Sequence, residues 1–367
     1  MVIFPSFVNG LARTVSIKKE KKCQKDDGRR AVKEMAKEAR KNDLLLKSSG
    51  VVKSTKANSF VSVFTNKGQK GVNQDRVLVW EEFGCQGDLM LCGIFDGHGP
   101  WGHLVAKRVR KLVPAFLLCN WQQTVASTSL DLDIKLEADE FIHGFDVWKQ
   151  SYLKSYDAID QDLKHHTGID SFRSGTTALT IIKQGDYLIT ANLGDSRAVL
   201  ATTSEDGKLI PIQLTTDLKP NLPEEAKRIR ESGGEVYCME DEGGVYRAWM
   251  PSGRSAGLAI SRAFGDHCMK DFGLISVPEV THTKLTKRDQ FVILASDGVW
   301  DVLSNEEAVK IASSSSSSSS GGERAAERVV KRAIHEWKRK RSSIAMDDMS
   351  VICLFFHSHS VSSASSN

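Results

Sequence analysis

Two segments of this chain are apolar at every consecutive position, LMLCGIF at residues 89–95 and FVILA at residues 291–295. A β-strand of this kind must be covered on both of its faces. A sheet with a second sheet on one face and helices on the other meets this requirement, and so does a single sheet covered by helices. Short turns such as KQGD at 183–186 join neighbouring strands antiparallel, which argues against an all-parallel sheet. The sequence therefore predicts an α+β fold, built as a layered sandwich.

Strand and helix signals extend over most of the chain. Short runs of β-branched and aromatic residues that end at Gly, Asp or Asn predict strands over 60–64, 76–83, 89–95, 177–182, 187–193, 197–202, 291–296 and 350–356. The turns at 183–186 and 192–196 predict an antiparallel meander over residues 177–202. Apolar residues three or four positions apart predict long helices over 102–118 and 141–166, whose apolar faces we expect to pack against a sheet.

Composition limits the class of protein. A formal net charge of +4 in 367 residues, spread evenly along the chain, does not indicate nucleic-acid binding. No apolar stretch reaches the roughly 18 residues that predict a membrane-spanning helix. The seven cysteines are odd in number and form no CxxC pair, which favours a reducing compartment, the cytoplasm or the nucleus.

The ends of the chain and one internal segment differ in composition from the rest. Residues 1–55 are polar and rich in Lys and Arg, and they predict a flexible basic arm that contains one helical pattern, RRAVKEMAKEARKNDLLLK. The Ser- and Gly-rich segment 313–322 predicts a mobile loop between two helices, and residues 358–367 predict a disordered tail. Residues 56–357 then form the folded domain.

Carboxylates recur at the ends of the predicted strands. The acids that stand directly after or before a strand are Asp75, Asp96, Asp195, Asp297, Asp347 and Asp348. Because the end of one antiparallel strand lies beside the start of its neighbour, we expect these acids to converge on one edge. A single Asp at a strand end is commonly a turn residue, but several converging acids would repel one another unless a multivalent cation neutralised them.

The residue types around Asp96 indicate which cation and which chemistry. Oxygen ligands without a His or Cys cluster favour Mg²⁺ or Mn²⁺ over Zn²⁺. Gly97 has no side chain, so its carbonyl group can approach an ion closely. A lone His is more often structural, but His98 stands two residues past Asp96 and has a pKa range suited to protonating a leaving group. These residues predict a metal-dependent hydrolase of a phosphate ester, a nucleic acid or a sugar phosphate.

The motifs around these residues resemble the metal-dependent protein serine/threonine phosphatases of the protein phosphatase 2C family. They occur in the family's order between about residue 59 and residue 356: FDGHG at 95–99, SGTTA at 174–178, ANLGDSRAVL at 191–200, LAISRAFGD at 258–266, ASDGVWDVLSNEEAV at 295–309 and DDMSVICLFF at 347–356. KGVNQD at 70–75 and the segment around YRAWMPSGR resemble plant members of the family.

The resemblance implies a four-layer α-β-β-α sandwich of two mainly antiparallel sheets flanked by helices, with two Mg²⁺ or Mn²⁺ ions at one end. The ligands that it implies for these ions are Asp96 bridging both, the Gly97 carbonyl, Asp297, Asp347 and, directly or through water, Asp75. Asp195 and Asp301 match positions of a weaker third metal site, and His98 matches the general acid. The implied reaction is in-line attack of a metal-activated water on phosphorus, without a covalent intermediate.

Two positions depart from the family pattern. Where many members have an Arg that binds the substrate phosphate, this chain has Lys70, a point charge without a bidentate fork. Gln74 stands where an acid is common, which leaves one contact of the metal site open. Residues 219–254 correspond to the family's variable flap, which either shapes substrate choice or packs as an extra lobe.

The sequence thus favours a monomeric phosphatase, with residues 56–357 as its catalytic domain, acting on phosphoserine and phosphothreonine in protein substrates. The alternative is a catalytically weak or silent module that keeps the phosphatase fold for binding in signalling. The Asp at every main metal position argues against that alternative. A metal-dependent nuclease is disfavoured because no basic groove with interleaved aromatic residues is visible.

Overall fold

The computed structural model of the chain describes residues 25–42, 44–54, 59–130, 140–239, 244–251, 257–314 and 324–356. The described helices are α1 (Lys25–Lys41), α2 (Gly102–Leu130), α3 (Glu140–Lys164), α4 (Pro223–Glu231), α5 (His267–Lys270), α6 (Asp297–Trp300), α7 (Asn305–Ser313) and α8 (Ala325–Lys340). A capping box opens α7: the Ser304 hydroxyl oxygen accepts from the Glu307 N–H, and the Glu307 carboxylate accepts from the Ser304 N–H. None of these helices has a span long and apolar enough to cross a membrane.

The strands form two large antiparallel sheets and two small ones. The strands of the first half are β1 (Leu45–Leu46), β2 (Gly50–Ser54), β3 (Ser59–Asn66), β4 (Arg76–Glu81), β5 (Leu89–Phe95), β6 (Gly97–His98), β7 (Gly175–Thr176), β8 (Ala178–Gln184) and β9 (Tyr187–Leu193). The strands of the second half are β10 (Arg197–Thr203), β11 (Leu209–Gln213), β12 (Glu235–Cys238), β13 (Tyr246–Trp249), β14 (Phe264–Gly265), β15 (Glu279–Lys284), β16 (Asp289–Ala295) and β17 (Met349–Phe355). The first large sheet has the order β1-β4-β5-β8-β9-β15 and the second β11-β10-β16-β17-β3-β2.

Alternation of side chains along the central strands builds four layers. In β4, Leu78 and Trp80 lie in the apolar cluster that the first sheet shares with α2 and α3. The intervening Val77 and Val79 lie in a second cluster, between the two sheets. Strands β16 and β17 alternate in the same way between that middle cluster and the helices α7 and α8. The predicted α-β-β-α sandwich is confirmed, and both faces of each central strand are buried, as their continuous apolar sequences require.

The predicted helical faces are core faces. Trp148, Tyr152, Tyr156, Ile159 and Leu163 of α3 are all buried in the cluster against the first sheet. The hydroxyl group of Thr180 on β8 donates a hydrogen bond of 3.1 Å to the Tyr152 hydroxyl oxygen. The aromatic stripe therefore attaches a helix to a sheet and does not form a ligand pocket.

The predicted meander over residues 177–202 is correct for its first turn and wrong for its second. Strands β8 and β9 are paired, but β9 lies next to β15 in the first sheet, and β10 lies between β11 and β16 in the second. The chain crosses from one sheet to the other at Gly194, whose φ of 111° is readily adopted only by glycine. When both strands are buried on both faces, a short turn between them does not determine whether they pair in one sheet or whether the chain crosses to the other sheet.

The structure also differs from the flexible arm predicted over residues 1–55. Helix α1 packs on α2 and buries Val32 and Ala39, and β2 pairs with β3, placing Val52 between the sheets. The apolar positions of α1 recur three and four residues apart, so the helix has a buried face despite its many lysines and arginines. The domain therefore includes the chain from Lys25 onward, whereas residues 1–24, 315–323 and 357–367 lie outside the described residues.

The flap segment 219–254 contains α4 and the β12–β13 hairpin, which share a small apolar cluster with Ile260, Ala263 and Leu274. Buried Glu225 of α4 accepts two hydrogen bonds each from Arg228 and Arg262, and one of 2.5 Å from Ser261. Burial alone would raise the pKa of Glu225, but these bonds lower it to about 2. The Glu225 carboxylate thus connects the flap, through hydrogen bonds, to residues 261–262, which lead into β14.

We expect Glu225→Gln to lower the free energy of unfolding by about 2–3 kcal/mol at pH 7, because two arginines lose their buried partner. The folded-state pKa of Glu225 lies below the ordinary value of 4.5, so its contribution is complete above that value and declines as pH falls towards 2. Urea unfolding at pH 7 and at pH 3 measures this, and the difference between wild type and variant should shrink at pH 3. Exposed Glu224→Gln, one residue away, serves as the control. An equal loss in both variants would show that the arginine contacts add nothing.

Candidate metal centre

The ends of the two sheets form an open pocket of about 920 Å³. The acids that line it are Asp96, Asp195, Asp297, Asp301, Asp347 and Asp348. Asp96 follows β5, Asp297 follows β16, and Asp347 precedes β17. Because β16 pairs antiparallel with β17, the end of the first lies beside the start of the second. The predicted acids therefore converge, and they come from both sheets.

Asp75 lies behind these acids, buried and next to Asp96, because Arg76 at the start of β4 pairs with Phe95 at the end of β5. The Ser296 hydroxyl donates a hydrogen bond of 2.8 Å to Asp75 Oδ2, whereas Asp75 Oδ1 is buried and has no partner among the described residues. Burial raises the pKa of Asp75 to about 7, and the charges of Asp348 and Asp347 act in the same direction. A buried carboxylate oxygen without a donor fits a cation.

Burial and mutual repulsion dominate the electrostatics of the centre. Burial is the largest cause that raises the pKa of Asp96 well above its usual range, followed by the charges of Asp75, Asp297 and Asp347. The pKa of Asp297 is raised in the same way, by burial and then by Asp195, Asp347 and Asp301. Carboxylates held this close are unfavourable as anions unless positive charge is supplied among them.

Three cations of the chain supply part of this charge. The Lys70 ammonium binds Asp347, the Lys219 ammonium binds Asp195, and Arg341 Nη1 lies 3.0 Å from Asp301 Oδ2. Among the described residues, no group of three or more His, Cys, Asp or Glu side chains is arranged to hold a metal ion as it stands. Lys70, predicted to bind the substrate phosphate, thus lies in the pocket but contacts a carboxylate.

Gly97 is required by packing as well as by its predicted role. A Cβ at Gly97 would lie 2.5 Å from the carbonyl oxygen of Gly102 at the start of α2. The helix approaches β6 so closely that any side chain would displace it. Gln74, where an acid was expected, donates through Nε2 to the Gly99 carbonyl oxygen at 3.2 Å, while its buried Oε1 has no partner among the described residues.

His98 lies at the edge of the pocket and contacts an acid that the sequence analysis did not single out. His98 Nε2 is 2.5 Å from Asp266 Oδ2, and Asp266 is buried between β14 and α5. Burial alone would lower the pKa of His98, but the charge and hydrogen bond of Asp266 outweigh it, so the pKa is raised. The sequence does carry a signal for Asp266, which ends the motif LAISRAFGD. It is the only acid of that motif and so the only residue in it that can pair with an imidazolium.

Asp348 positions the loop that carries Lys70. Its two carboxylate oxygens accept hydrogen bonds of 2.7 Å from the backbone N–H groups of Gly68 and Gln74. The segment before β17 therefore holds the loop before β4 through Asp348, which lines the pocket next to Asp347. Lys219, also missed in the sequence, precedes the flap helix in DLKPN and pairs with Asp195.

Comparison with known proteins matches the family model described as "Protein phosphatase 2C" to residues 86–341. The "Probable protein phosphatase 2C 41" of Arabidopsis thaliana is 56% identical over 359 residues, which cover 97% of this chain and 99% of that protein. The "Probable protein phosphatase 2C 48" of Oryza sativa subsp. japonica is 48% identical, covering 96% and 98%. The crystal structure of serine-threonine phosphatase 2C from Toxoplasma gondii has the same fold, with a TM-score of 0.73 at 23% identity over 85% of this chain and 98% of that one.

Proposed function

Because the chain belongs to the protein phosphatase 2C family and is a metal-dependent protein serine/threonine phosphatase, we propose that the carboxylates of this pocket hold two Mg²⁺ or Mn²⁺ ions for the reaction. Its substrates are phosphorylated proteins. The observation that carries the proposal is the convergence of half-buried, mutually repelling Asp96 and Asp297 beside the His98–Asp266 pair in an open pocket.

The residues that would hold the ions are Asp75, Asp96, the Gly97 carbonyl, Asp297 and Asp347, with Asp195 and Asp301 for a weaker third ion. Carboxylate and carbonyl oxygens without thiolates suit Mg²⁺ and Mn²⁺, and the unpartnered Asp75 Oδ1 supports this choice. When bound, such ions neutralise the carboxylates and the phosphoryl oxygens and make a water acidic enough to attack phosphorus. Lys70 and Lys219 would give up their carboxylate partners to the ions.

His98 would donate a proton to the seryl or threonyl oxygen as it leaves phosphorus. Asp266 supports this role in two ways, because it orients the imidazole ring and favours its protonated form. Lys70, released from Asp347, would stand at the pocket wall as a positive charge for the substrate phosphate. The reaction then needs no nucleophilic side chain and forms no covalent intermediate.

The mouth of the pocket suits a polypeptide substrate. Val72, Tyr246 and Ile344 line the pocket and expose 58%, 45% and 54% of their surfaces. Apolar side chains exposed around a polar centre give the residues that flank a phosphorylated side chain a surface to contact. We place the chain in the cytoplasm or nucleus as a monomer; Cys92 and Cys353 are buried thiols that form no disulfide, which supports a reducing compartment.

A phosphothreonine peptide tests the proposal directly. Purified protein with Mn²⁺ or Mg²⁺ should release phosphate at a rate that falls to background in excess EDTA and returns when the ion is added back. Calorimetric titration of the metal-free protein should give two strong binding events for each chain. Turnover that survives EDTA would contradict the metal centre, and a folded, metal-loaded protein without turnover would favour the silent binding module.

A further inference from the structure

A second group of positive charges lies outside the pocket, where α1, the segment before β2 and α2 adjoin. It consists of Arg40 on α1, Lys47 between β1 and β2, and Arg110 and Lys111 on α2, and is called the basic corner below. The guanidinium group of Arg110 donates to the backbone carbonyl oxygen of Lys47, with 3.4 Å between Nη1 and O. The catalytic proposal gives these side chains no role.

The backbone around the basic corner is well anchored. Leu44 N–H donates to Ala39 O at 2.8 Å, so the chain turns back directly after α1. The Leu44 carbonyl then accepts from Glu81 N–H at 2.8 Å, and Leu45 pairs with Trp80 on β4. These bonds anchor the backbone at Leu44 and Leu45, between Arg40 and Lys47 and next to α2.

Among the described residues, no acid balances the charges of the basic corner. None of its four side chains forms an ion pair with one of these acids; Glu38, two residues before Arg40, pairs with Lys41, and Asp162 of α3 pairs with Arg108 of α2. Burial, then the charges of Arg40, Arg110 and Lys111, lowers the pKa of Lys47 to about 8. Burial, then Arg76 and Arg40, lowers the pKa of Arg110 to about 10. The folded chain therefore keeps half-buried Lys47 and Arg110 beside exposed Arg40 and Lys111, at a cost that a bound anion would remove.

We propose that the basic corner is a second phosphate-binding site, which holds a phosphate dianion between the guanidinium fork of Arg110 and the ammonium group of Lys47. A guanidinium group can bind two phosphate oxygens at once, and a dianion balances more of the four charges than a carboxylate does. Arg110 lies eight residues after Gly102, where α2 begins beside Gly97, so the site is roughly 12 Å along the helix from the pocket. The occupant is either free phosphate or a phosphorylated side chain of a substrate protein, and the second source rests on the proposed function.

The test compares wild type with Lys47→Gln/Arg110→Gln in metal-free protein kept in EDTA, titrated with inorganic phosphate and with sulfate by calorimetry. We expect the double variant to bind both anions at least about tenfold more weakly. Arg288→Gln/Lys310→Gln removes the same charge from exposed positions in the second half of the chain and should bind like wild type. Equal affinity of wild type and the basic-corner variant would overturn the proposal.

Two further measurements separate damage from loss of the site and identify the source. Without phosphate, the basic-corner variant should melt no lower than wild type, because the repulsion among its positive charges is relieved. A lower melting temperature of this variant, together with an equal loss of anion binding in both double variants, would count against a specific site. A peptide phosphorylated at two residues should bind wild type more tightly than a singly phosphorylated one if side chains are the occupant, and equally if free phosphate is. Since no turnover is measured, the titrations with phosphate and sulfate do not depend on the catalytic proposal, whereas the peptide comparison, which identifies only the source, does.

Discussion

Asp96→Asn is expected to lower kcat/KM for a phosphothreonine peptide at least about 10³-fold, roughly 4 kcal/mol of transition-state stabilisation, while raising the melting temperature of the metal-free protein. Both effects have one cause. In the proposed function Asp96 would hold the cations, and without them it is a half-buried carboxylate repelled by Asp75, Asp297 and Asp347. A neutral amide of the same shape removes the repulsion and, with it, the charge that would hold the cations.

Steady-state kinetics in Mn²⁺ and thermal unfolding in EDTA measure the two effects on one preparation. The melting temperature of wild type should rise on adding Mn²⁺, because an ion that binds only the folded chain stabilises it, and that rise should be much smaller in Asp96→Asn. Asp88→Asn, at an exposed acid outside the pocket, should change neither quantity. A variant that lost activity and also melted lower in EDTA would identify Asp96 as a structural residue.

His98→Gln is expected to reduce turnover by an amount that depends on the leaving group. A seryl or threonyl alkoxide is a poor leaving group and needs its proton, so kcat on a phosphothreonine peptide should fall about 10²–10³-fold. The phenolate of p-nitrophenyl phosphate is far more stable and leaves without a proton, so its turnover should fall less than about tenfold. Measuring kcat on both substrates with one enzyme preparation gives the ratio directly.

Asp266→Asn extends this test to the partner of His98. It keeps a group that can bond the imidazole ring but removes the charge that raises the pKa of His98, so it should show the same selective loss on the peptide, to a smaller degree. An equal loss on both substrates in the His98 variant would mean that the histidine binds or packs and does not donate a proton.

Local signals in the sequence predicted most of the elements but not every connection between them. The doubly buried strands and the helical spacing of Tyr152 and Tyr156 predict layers correctly, because burial on both faces has few solutions. The crossing at Gly194 and the docking of α1 were missed for different reasons. Whether the chain crosses from one sheet to the other depends on which strands, distant in sequence, become neighbours. Helix α1 was missed because its apolar face is narrow and is flanked by lysines.

The residues of the candidate site likewise fall into those that the sequence predicts and those that it does not. Its acids carry a positional signal, since each stands at a strand end, and the family motifs identify them individually. Lys219 and the basic corner carry none, and the motif position of Asp266 does not show that it pairs with His98, because each acquires its role from a partner more than 20 residues away in sequence. Long-range pairing of charges is what the structure adds to the sequence.

The acids of the pocket come from both sheets: Asp75 and Asp96 from the ends of β4 and β5 in one, Asp297 and Asp347 from the ends of β16 and β17 in the other. Among the described strands no backbone ladder joins the two sheets; side-chain packing sets one against the other, with hydrogen bonds from Ser296 to Asp75 and from the Gln74 N–H to Asp348 at the pocket. A small shift of one sheet along this apolar interface would separate the carboxylates while every strand stayed paired. The activity of the proposed site therefore depends on the alignment of the two sheets, and we expect warming to abolish it at a temperature below that of unfolding.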